Sequence, residues 1–333
     1  MTFEEIYNRI KKQEYAPIYF LMGEESFYID KITDYILENA LPEAERDFNQ
    51  SIFYGKDADI ANVIDTARRF PMMATRQLVV VKEAQHLKNI ELLDSYIKNP
   101  LQSTILVINY KYKTLDKRKA FTKNVAQFGI LFESKKIYEN QLPDWITKYT
   151  KSLKLNIDTK ASILLSEFLG NDLSKISNEL DKLSINIPQG NTITADDIEK
   201  NIGISKDFNN FELQNALGKK DIVKANQIIN YFSTNEKSNP IYVTIALLHS
   251  YFSKILKFHF LKNKTNDKIV ASALGINPFF VKDYKSAARL YNPKKLVAII
   301  NLLREYDLKS KGIGNVSSKN GDLLKELIFK TLH

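Results

Sequence analysis

The amino-acid sequence predicts an α/β domain built on a parallel sheet, followed by a region made only of helices. Short apolar runs that are typical of buried strands alternate with helical segments over about the first 140 residues, as strand–helix–strand units require. From Leu142 onward the strand pattern disappears and helical segments take over. We therefore predict three domains: a doubly wound, nucleotide-binding-like domain over residues 1–140, a small helical domain over 141–205, and a helical C-terminal domain over 206–333.

The first domain is predicted from apolar runs bounded by turn residues and helical patterns. Ala16–Met22 is a continuous apolar run, as expected for a strand that is buried on both faces of a sheet, and Gly23 ends it. In chain order the segments are strand Ala16–Met22, helix Phe27–Asn39, strand Gln50–Tyr54, helix Ile60–Arg69, and strands Leu78–Val81, Thr104–Asn109 and Ile130–Glu133.

The remainder of the chain is predicted to be helical. Gly170 ends one helix as a C-cap, and Thr194 begins another with Asp197 at the spacing of a capping box. The acid pair Asp196 and Asp197 is therefore interpreted as first-turn carboxylates facing a helix dipole, not as a metal site. The predicted helices are Leu142–Leu153, Thr159–Leu169, Asp172–Leu183, one that begins at Thr194, Phe211–Leu217, Asp221–Phe232, Pro240–Leu261, Asp267–Leu274, Pro278–Ala288, Pro293–Leu308 and Gly321–Leu332.

The composition excludes several classes of protein. The chain has no cysteine, which excludes a disulfide framework and a thiolate nucleophile and fits a reducing cytoplasm. Its four histidines are isolated in sequence and form no metal-ligand pattern. The first residues do not resemble a signal peptide, and no uncharged apolar run is long enough to span a membrane. We expect a cytoplasmic protein without a membrane segment.

The excess positive charge lies entirely in the C-terminal region. Residues 206–333 carry 21 Lys or Arg and 10 Asp or Glu, a net charge of +11, whereas residues 1–205 carry 27 and 29, a net charge of −2. A basic region attracts the phosphate backbone of nucleic acids. A lysine-rich solvated surface in an organism with a lysine-rich proteome gives the same signal, and both interpretations remain open.

The turn after the first strand is where an α/β fold would bind phosphate. A P-loop needs Gly, four residues, then Gly-Lys-Ser/Thr, but counted from Gly23 those last places hold Tyr28, Ile29 and Asp30. The acid that would hold Mg²⁺ after the third strand is replaced by Lys82. We predict that the chain binds no nucleotide, metal or other cofactor. The alternative to an altered P-loop is that Ala16–Asp30 is an unrelated strand–helix unit that never was a P-loop.

Six segments in order resemble one family, the delta subunits of bacterial DNA polymerase III clamp loaders. Tyr19–Ile36 is similar to the first strand and degenerate P-loop of that family, and Phe70–Ala84 is similar to its clamp-contacting element and the following strand. Resemblance to the family's second and third domains is carried by Trp145–Asp158, Leu169–Ile185, Phe211–Asp221 and Leu303–Gly312.

The resemblance implies a P-loop-like, AAA+-type parallel-sheet domain, a helical lid domain and a helical collar domain. It also implies a subunit with no ATPase or other catalytic activity of its own, classed with the DNA-directed DNA polymerase holoenzyme. The implied partners are the sliding clamp (beta), the tau/gamma and delta-prime subunits, and primed DNA through the complex. The implied role is to bind the clamp and help to open it. A helical collar would by itself account for the basic C-terminal surface.

The same resemblance assigns the clamp contact to Met72 and Met73, which follow Phe70 and Pro71. In the family an adjacent pair of large apolar residues at this place enters a hydrophobic pocket of the clamp. Here the pair is Met-Met, where a Leu-Phe type of pair is more usual. The alternative is that both methionines pack under the sheet.

Two other functions fit the features of this sequence less well. An active AAA+ ATPase of DNA repair or remodelling would need a lysine near Ile29 and an acid near Lys82. A stand-alone, basic, helical DNA-binding protein would need neither the α/β domain nor an exposed methionine pair.

Overall fold

The computed structural model describes residues 1–205, 207–315 and 317–333. The chain divides into two compact units, Met1–Ile137 and Tyr138–His333. The predicted boundary between 205 and 206 falls on residue 206, outside the described residues, and the division into three domains stays a prediction.

The first unit contains a parallel five-stranded sheet, which confirms the predicted fold class. Its strand order is β2-β3-β4-β1-β5. The carboxyl ends of three neighbouring strands are level with each other, because Gly23 of β1 is in register with Lys111 of β4 and Ser134 of β5. The strands are β1 (Ile18–Gly23), β2 (Gln50–Tyr54), β3 (Gln77–Lys82), β4 (Thr104–Lys111) and β5 (Ile130–Ser134).

Helices cover both faces of this sheet. They are α1 (Phe3–Lys11), α2 (Ser26–Asn39), α3 (Glu43–Asn49), α4 (Ile60–Arg68), α5 (Asp94–Ile97) and α6 (Ala120–Phe128). Helices α1 and α2 pack on the face that includes Tyr19 and Leu21, and α4 and α6 pack on the face that includes Phe20 and Met22. Of these helices only α2 and α4 were predicted from the sequence. Helix α1 has a capping box at Thr2 that the prediction missed.

The second unit is helical apart from two very short strands. Strands β6 (Asn156–Ile157) and β7 (Thr192–Ile193) pair in parallel, so the expectation of no strand after Leu142 was wrong. Two residues are too few to give an alternating pattern in a sequence. The capping box of Thr194 and Asp197 is confirmed. The helices are α7 (Leu142–Ser152), α8 (Thr159–Leu169), α9 (Leu173–Asn186), α10 (Ala195–Ile202), α11 (Asn210–Lys219), α12 (Ile222–Thr234), α13 (Ile241–His259), α14 (Asp267–Leu274), α15 (Val281–Leu290), α16 (Pro293–Ser310) and α17 (Asn320–Leu332).

One hydrophobic core joins the last seven helices. It runs from Leu213 in α11 to Leu332 in α17 and includes the buried rings of Phe252, Tyr291 and Tyr306. In the part of the chain that the structure describes, no helix combines the length and apolar character needed to cross a bilayer.

Candidate functional site

The loop between α4 and β3, residues 69–76, carries the four residues that were predicted to contact a clamp. Helix α4 ends at Arg68, and the backbone of Arg69 is already extended. Pro71 cannot continue a helix, and it also keeps the preceding Phe70 out of the helical region. The chain therefore leaves α4 as a short irregular loop, which we call the α4–β3 loop, before it enters the sheet at Gln77.

Three apolar side chains of this loop lie in solvent. Phe70 is 79% exposed, Met72 is 60% exposed and Met73 is 101% exposed, while Pro71 is half-buried. Because both methionines are exposed, the alternative that they pack under the sheet is wrong. Met73 also has a φ of 52°, a left-handed conformation that costs a side chain such as Met about 1 kcal/mol.

The backbone of the loop is held by the buried side-chain amide of Asn49, the last residue of α3. The Met72 N–H donates to Asn49 Oδ1 at 2.6 Å, and Asn49 Nδ2 donates to the Met72 carbonyl oxygen at 3.0 Å. Asn49 Nδ2 also donates to the Glu45 carbonyl oxygen at 3.1 Å. Both polar backbone groups of Met72 are thus satisfied inside the protein, although its side chain is exposed.

Both ends of the loop make further contacts within the first unit. Gln77 is buried, and its Nε2 donates to the Arg69 carbonyl oxygen and, at 2.8 Å, to Thr104 Oγ1. The guanidinium of Arg76 lies 5.2 Å from the centre of the Tyr15 ring, a cation–π contact. The backbone of the loop is therefore bonded within the unit, while Phe70, Met72 and Met73 expose their side chains.

A further exposed aromatic residue lies beside this loop. Phe48 is 73% exposed and immediately precedes Asn49, which is bonded to Met72. The sequence analysis singled out neither Phe48 nor Asn49. An asparagine before a strand is an ordinary turn signal, so nothing in the sequence distinguishes this one.

The turn after β1 sits at the opposite edge of the sheet, where the phosphate of a nucleotide would bind. The Gly23 N–H donates to the Lys113 carbonyl oxygen and the Glu24 N–H donates to the Ser134 carbonyl oxygen, each at 3.1 Å. Gly23 has a φ of 127°, and a Cβ on it would overlap the Ser134 carbonyl oxygen. These two N–H groups are therefore bonded to carbonyl oxygens of the chain itself.

Acidic side chains lie at the start of helix α2. The Glu25 carboxylate caps α2 by accepting from the Phe27 N–H at 3.2 Å, so a negative charge already occupies the amino end of the helix. Asp30 forms an ion pair of 2.6 Å with Lys111 of β4. Desolvation and the neighbouring Asp30 carboxylate raise the pKa of Asp34, one turn further along α2.

The remaining residues predicted from the P-loop comparison do not converge on one site. Ile29 is fully buried in the core under α1 and α2. The Tyr28 ring packs on Phe3 with 4.8 Å between ring centroids. Lys82 ends β3 and is half-buried. Among residues 1–205, 207–315 and 317–333 no group of three or more His, Asp or Glu side chains is placed to hold a metal ion.

The two sites differ in what they can do chemically. The α4–β3 loop offers exposed apolar side chains on a fixed backbone, which suits docking into an apolar pocket of a protein. The β1–α2 turn offers carboxylates and carbonyl oxygens, which repel a triphosphate.

Two family models match this chain. The model described as the DNA polymerase III delta subunit matches residues 19–136, and the model of the C-terminal domain of that subunit matches residues 207–329. Together the matches cover more than two thirds of the chain, and the first includes both the β1–α2 turn and the α4–β3 loop.

Relatives and a solved structure match nearly the whole length. DNA polymerase III subunit delta of Bacillus subtilis is 29% identical, with 100% of this chain and 97% of the relative covered. The subunit of the same name from Buchnera aphidicola is 23% identical, with 91% and 88% covered. The solved structure of the DNA clamp loader delta protein of Bacillus subtilis superposes with a TM-score of 0.64 at 27% identity, covering 99% of each chain.

Proposed function

Because this chain belongs to the family of DNA polymerase III delta subunits, we propose that it is the non-catalytic clamp-loader subunit that binds the sliding clamp and helps to open it. The loading substrate is primed DNA in chromosomal replication, which the chain meets through the assembled complex. Its other partners are the tau/gamma and delta-prime subunits, and its compartment is the cytoplasm.

The observation that carries the proposal is the exposed apolar tip of the α4–β3 loop. Met72 and Met73 are exposed on a backbone that Asn49 holds through Met72, and Phe70 of the same loop is exposed as well. Exposed large apolar side chains that cluster on one loop are typical of a binding site. Met adapts its shape to an apolar pocket because its side chain is unbranched and polarisable.

The contacts of the β1–α2 turn support the proposal that this chain neither binds nor hydrolyses ATP. The Glu25 carboxylate and the Ser134 and Lys113 carbonyl oxygens already use the N–H groups of that turn. Ile29, in the place of the P-loop lysine, lies in the core. Clamp binding by this chain therefore needs no nucleotide, and energy for the loading cycle comes from the ATP-binding subunits.

Assembly through the second unit is supported by its helices. The core from Leu213 to Leu332 leaves apolar side chains such as Val223, Tyr242 and Phe279 exposed, and these can be covered by neighbouring subunits of a collar. The net charge of +11 over residues 206–333 is compatible with nearby DNA and equally with a solvated collar surface.

The test is gel filtration of the full chain with the sliding clamp of the same organism. The expected result is co-elution without nucleotide, and a larger complex with one copy of this chain when tau/gamma and delta-prime are added. Separate elution of chain and clamp, or co-elution that requires ATP, would contradict the proposal. An active AAA+ ATPase would also reveal itself by hydrolysing ATP alone.

A further inference from the structure

We infer that Asn49 is a positioning residue, which fixes the α4–β3 loop in its binding conformation before any partner arrives. The inference rests on the function proposed above, since it assigns to Asn49 a role in the same contact. Asn49 bonds only the backbone of Met72, so it affects the contact with the clamp indirectly.

The side-chain amide of Asn49 bonds both backbone polar groups of Met72, much as a neighbouring β-strand would. Asn49 Oδ1 accepts from the Met72 N–H at 2.6 Å and Asn49 Nδ2 donates to the Met72 carbonyl at 3.0 Å. Only 4% of Asn49 is exposed, so water does not compete well for these bonds. The third bond, to the Glu45 carbonyl oxygen, fixes the amide itself against α3.

The left-handed backbone of Met73 shows why such a support is needed. A φ of 52° is unfavourable for a residue that has a Cβ. Such a conformation persists only when the surrounding structure imposes it. Asn49 holds the residue before it, and Gln77 holds the carbonyl oxygen of Arg69 on the other side of the loop. Without Asn49 we expect Met73 to leave this conformation and the loop to sample several.

A loop that already has its bound conformation binds more tightly, because less conformational entropy is lost on binding. Ordering a loop and its side chains opposes association, and a conformation that exists beforehand avoids part of that cost. Asn49 therefore contributes to affinity for the clamp without contacting it.

The test compares Asn49→Ala and Asn49→Leu with Thr33→Ala in the full chain. The Leu variant deletes both hydrogen bonds to Met72 and keeps the number and branching of the side-chain heavy atoms. Thr33 is a buried residue of the same unit, bonded to the Ile29 carbonyl oxygen and to Asn109 Oδ1, and it does not touch the loop. Amide hydrogen exchange of residues 70–76 and affinity for the sliding clamp are measured for each variant.

We expect both Asn49 variants to exchange the Met72 amide at least about tenfold faster and to bind the clamp about tenfold more weakly. Thr33→Ala should leave both quantities near those of the wild type. Unchanged exchange in a folded Asn49 variant overturns the inference, as does faster exchange without loss of affinity. Unfolding of both Asn49 variants also overturns it, because Asn49 would then serve the fold of the whole unit.

Failure of the inference and failure of the proposed function give different results. If Met72→Ala with Met73→Ala weakens clamp binding and the Asn49 variants do not, only the inference fails. If the wild-type chain does not bind the clamp, the proposed function fails, and the exchange of the Met72 amide still decides whether Asn49 holds the loop.

Discussion

The β1–α2 turn lies at the carboxyl end of one strand of the parallel sheet, and the α4–β3 loop lies at the amino end of another. The backbones of both are bonded within the protein, but their side chains differ in what they contact. In both, backbone groups are bonded within the protein: Gly23 and Glu24 to carbonyl oxygens, Met72 to the side chain of Asn49. At the turn the side chains also point to partners of the chain itself, as in the ion pair of Asp30 with Lys111. At the loop the side chains of Phe70, Met72 and Met73 remain in solvent.

The difference between the two regions indicates which substitutions should act on stability and which on binding. Ligands of open α/β sheets usually bind at the carboxyl ends of the strands. At the end of β1 this place is occupied by contacts of the chain with itself and by the Glu25 carboxylate, whereas the exposed Phe70, Met72 and Met73 precede the amino end of β3. A substitution at the turn should therefore act on stability, whereas a substitution at the loop should act on binding.

The largest expected effect on stability comes from Gly23→Ala. A Cβ at this position would overlap the Ser134 carbonyl oxygen and lie 2.6 Å from its Oγ, so β1 and β5 would have to separate. We expect a loss of about 3 kcal/mol or more in the free energy of unfolding, measured by urea denaturation followed by circular dichroism. Gly275→Ala is the matched control, since Gly275 is in the ordinary left-handed region with a φ of 65° and has nothing within 4 Å of an added Cβ.

The control should lose only about 1 kcal/mol, because it suffers the backbone strain without the overlap. Clamp affinity of the folded Gly23→Ala protein should stay within about twofold of the wild type, since distant sites act independently. Equal losses in the two glycine variants would show that the turn is not closed as tightly as the contacts indicate.

The smallest expected effect is the binding of ATP, because we expect none that calorimetry can detect. Calorimetry of the full chain with ATP and Mg²⁺ should give no binding with a dissociation constant below about 1 mM. Ile29→Lys, which puts the P-loop lysine back, should not create binding, because Ile29 lies in the core and not at the turn. It should instead destabilise the domain, since it buries an amine without a partner. Micromolar affinity for ATP in the wild-type chain would contradict the closed turn.

Much of this fold is predictable from the sequence because its strands are long apolar runs. All five strands of the sheet were predicted within two residues at either end. The signal was clearest for β1, β3 and β4, because strands that are buried on both faces form continuous apolar runs. Helix α2 was predicted within one residue, from the apolar face that includes Ile29, Ile32 and Ile36. The short helices α3 and α5 were missed because seven and four residues give too little periodicity.

The candidate site was only half predictable. The sequence placed Met72 and Met73 after a helix-ending proline, but it did not decide between exposure and burial, which depends on the tertiary structure. Asn49 could not be found, because it lies 23 residues from Met72 in the chain, and side-chain to backbone bonds at such a distance leave no local pattern. The ion pair of Asp30 with Lys111 was hidden for the same reason.

The most direct test of the clamp contact is the double substitution Met72→Ala, Met73→Ala, compared with Leu92→Ala, Tyr112→Ala in the same unit. All four side chains are more than half exposed, so neither variant should change the melting temperature appreciably. We predict that the methionine variant loses about 2 kcal/mol or more of clamp binding, which is about a 30-fold rise in dissociation constant, while the control binds as the wild type. Wild-type affinity in the folded methionine variant would contradict the account, as would unfolding of that variant.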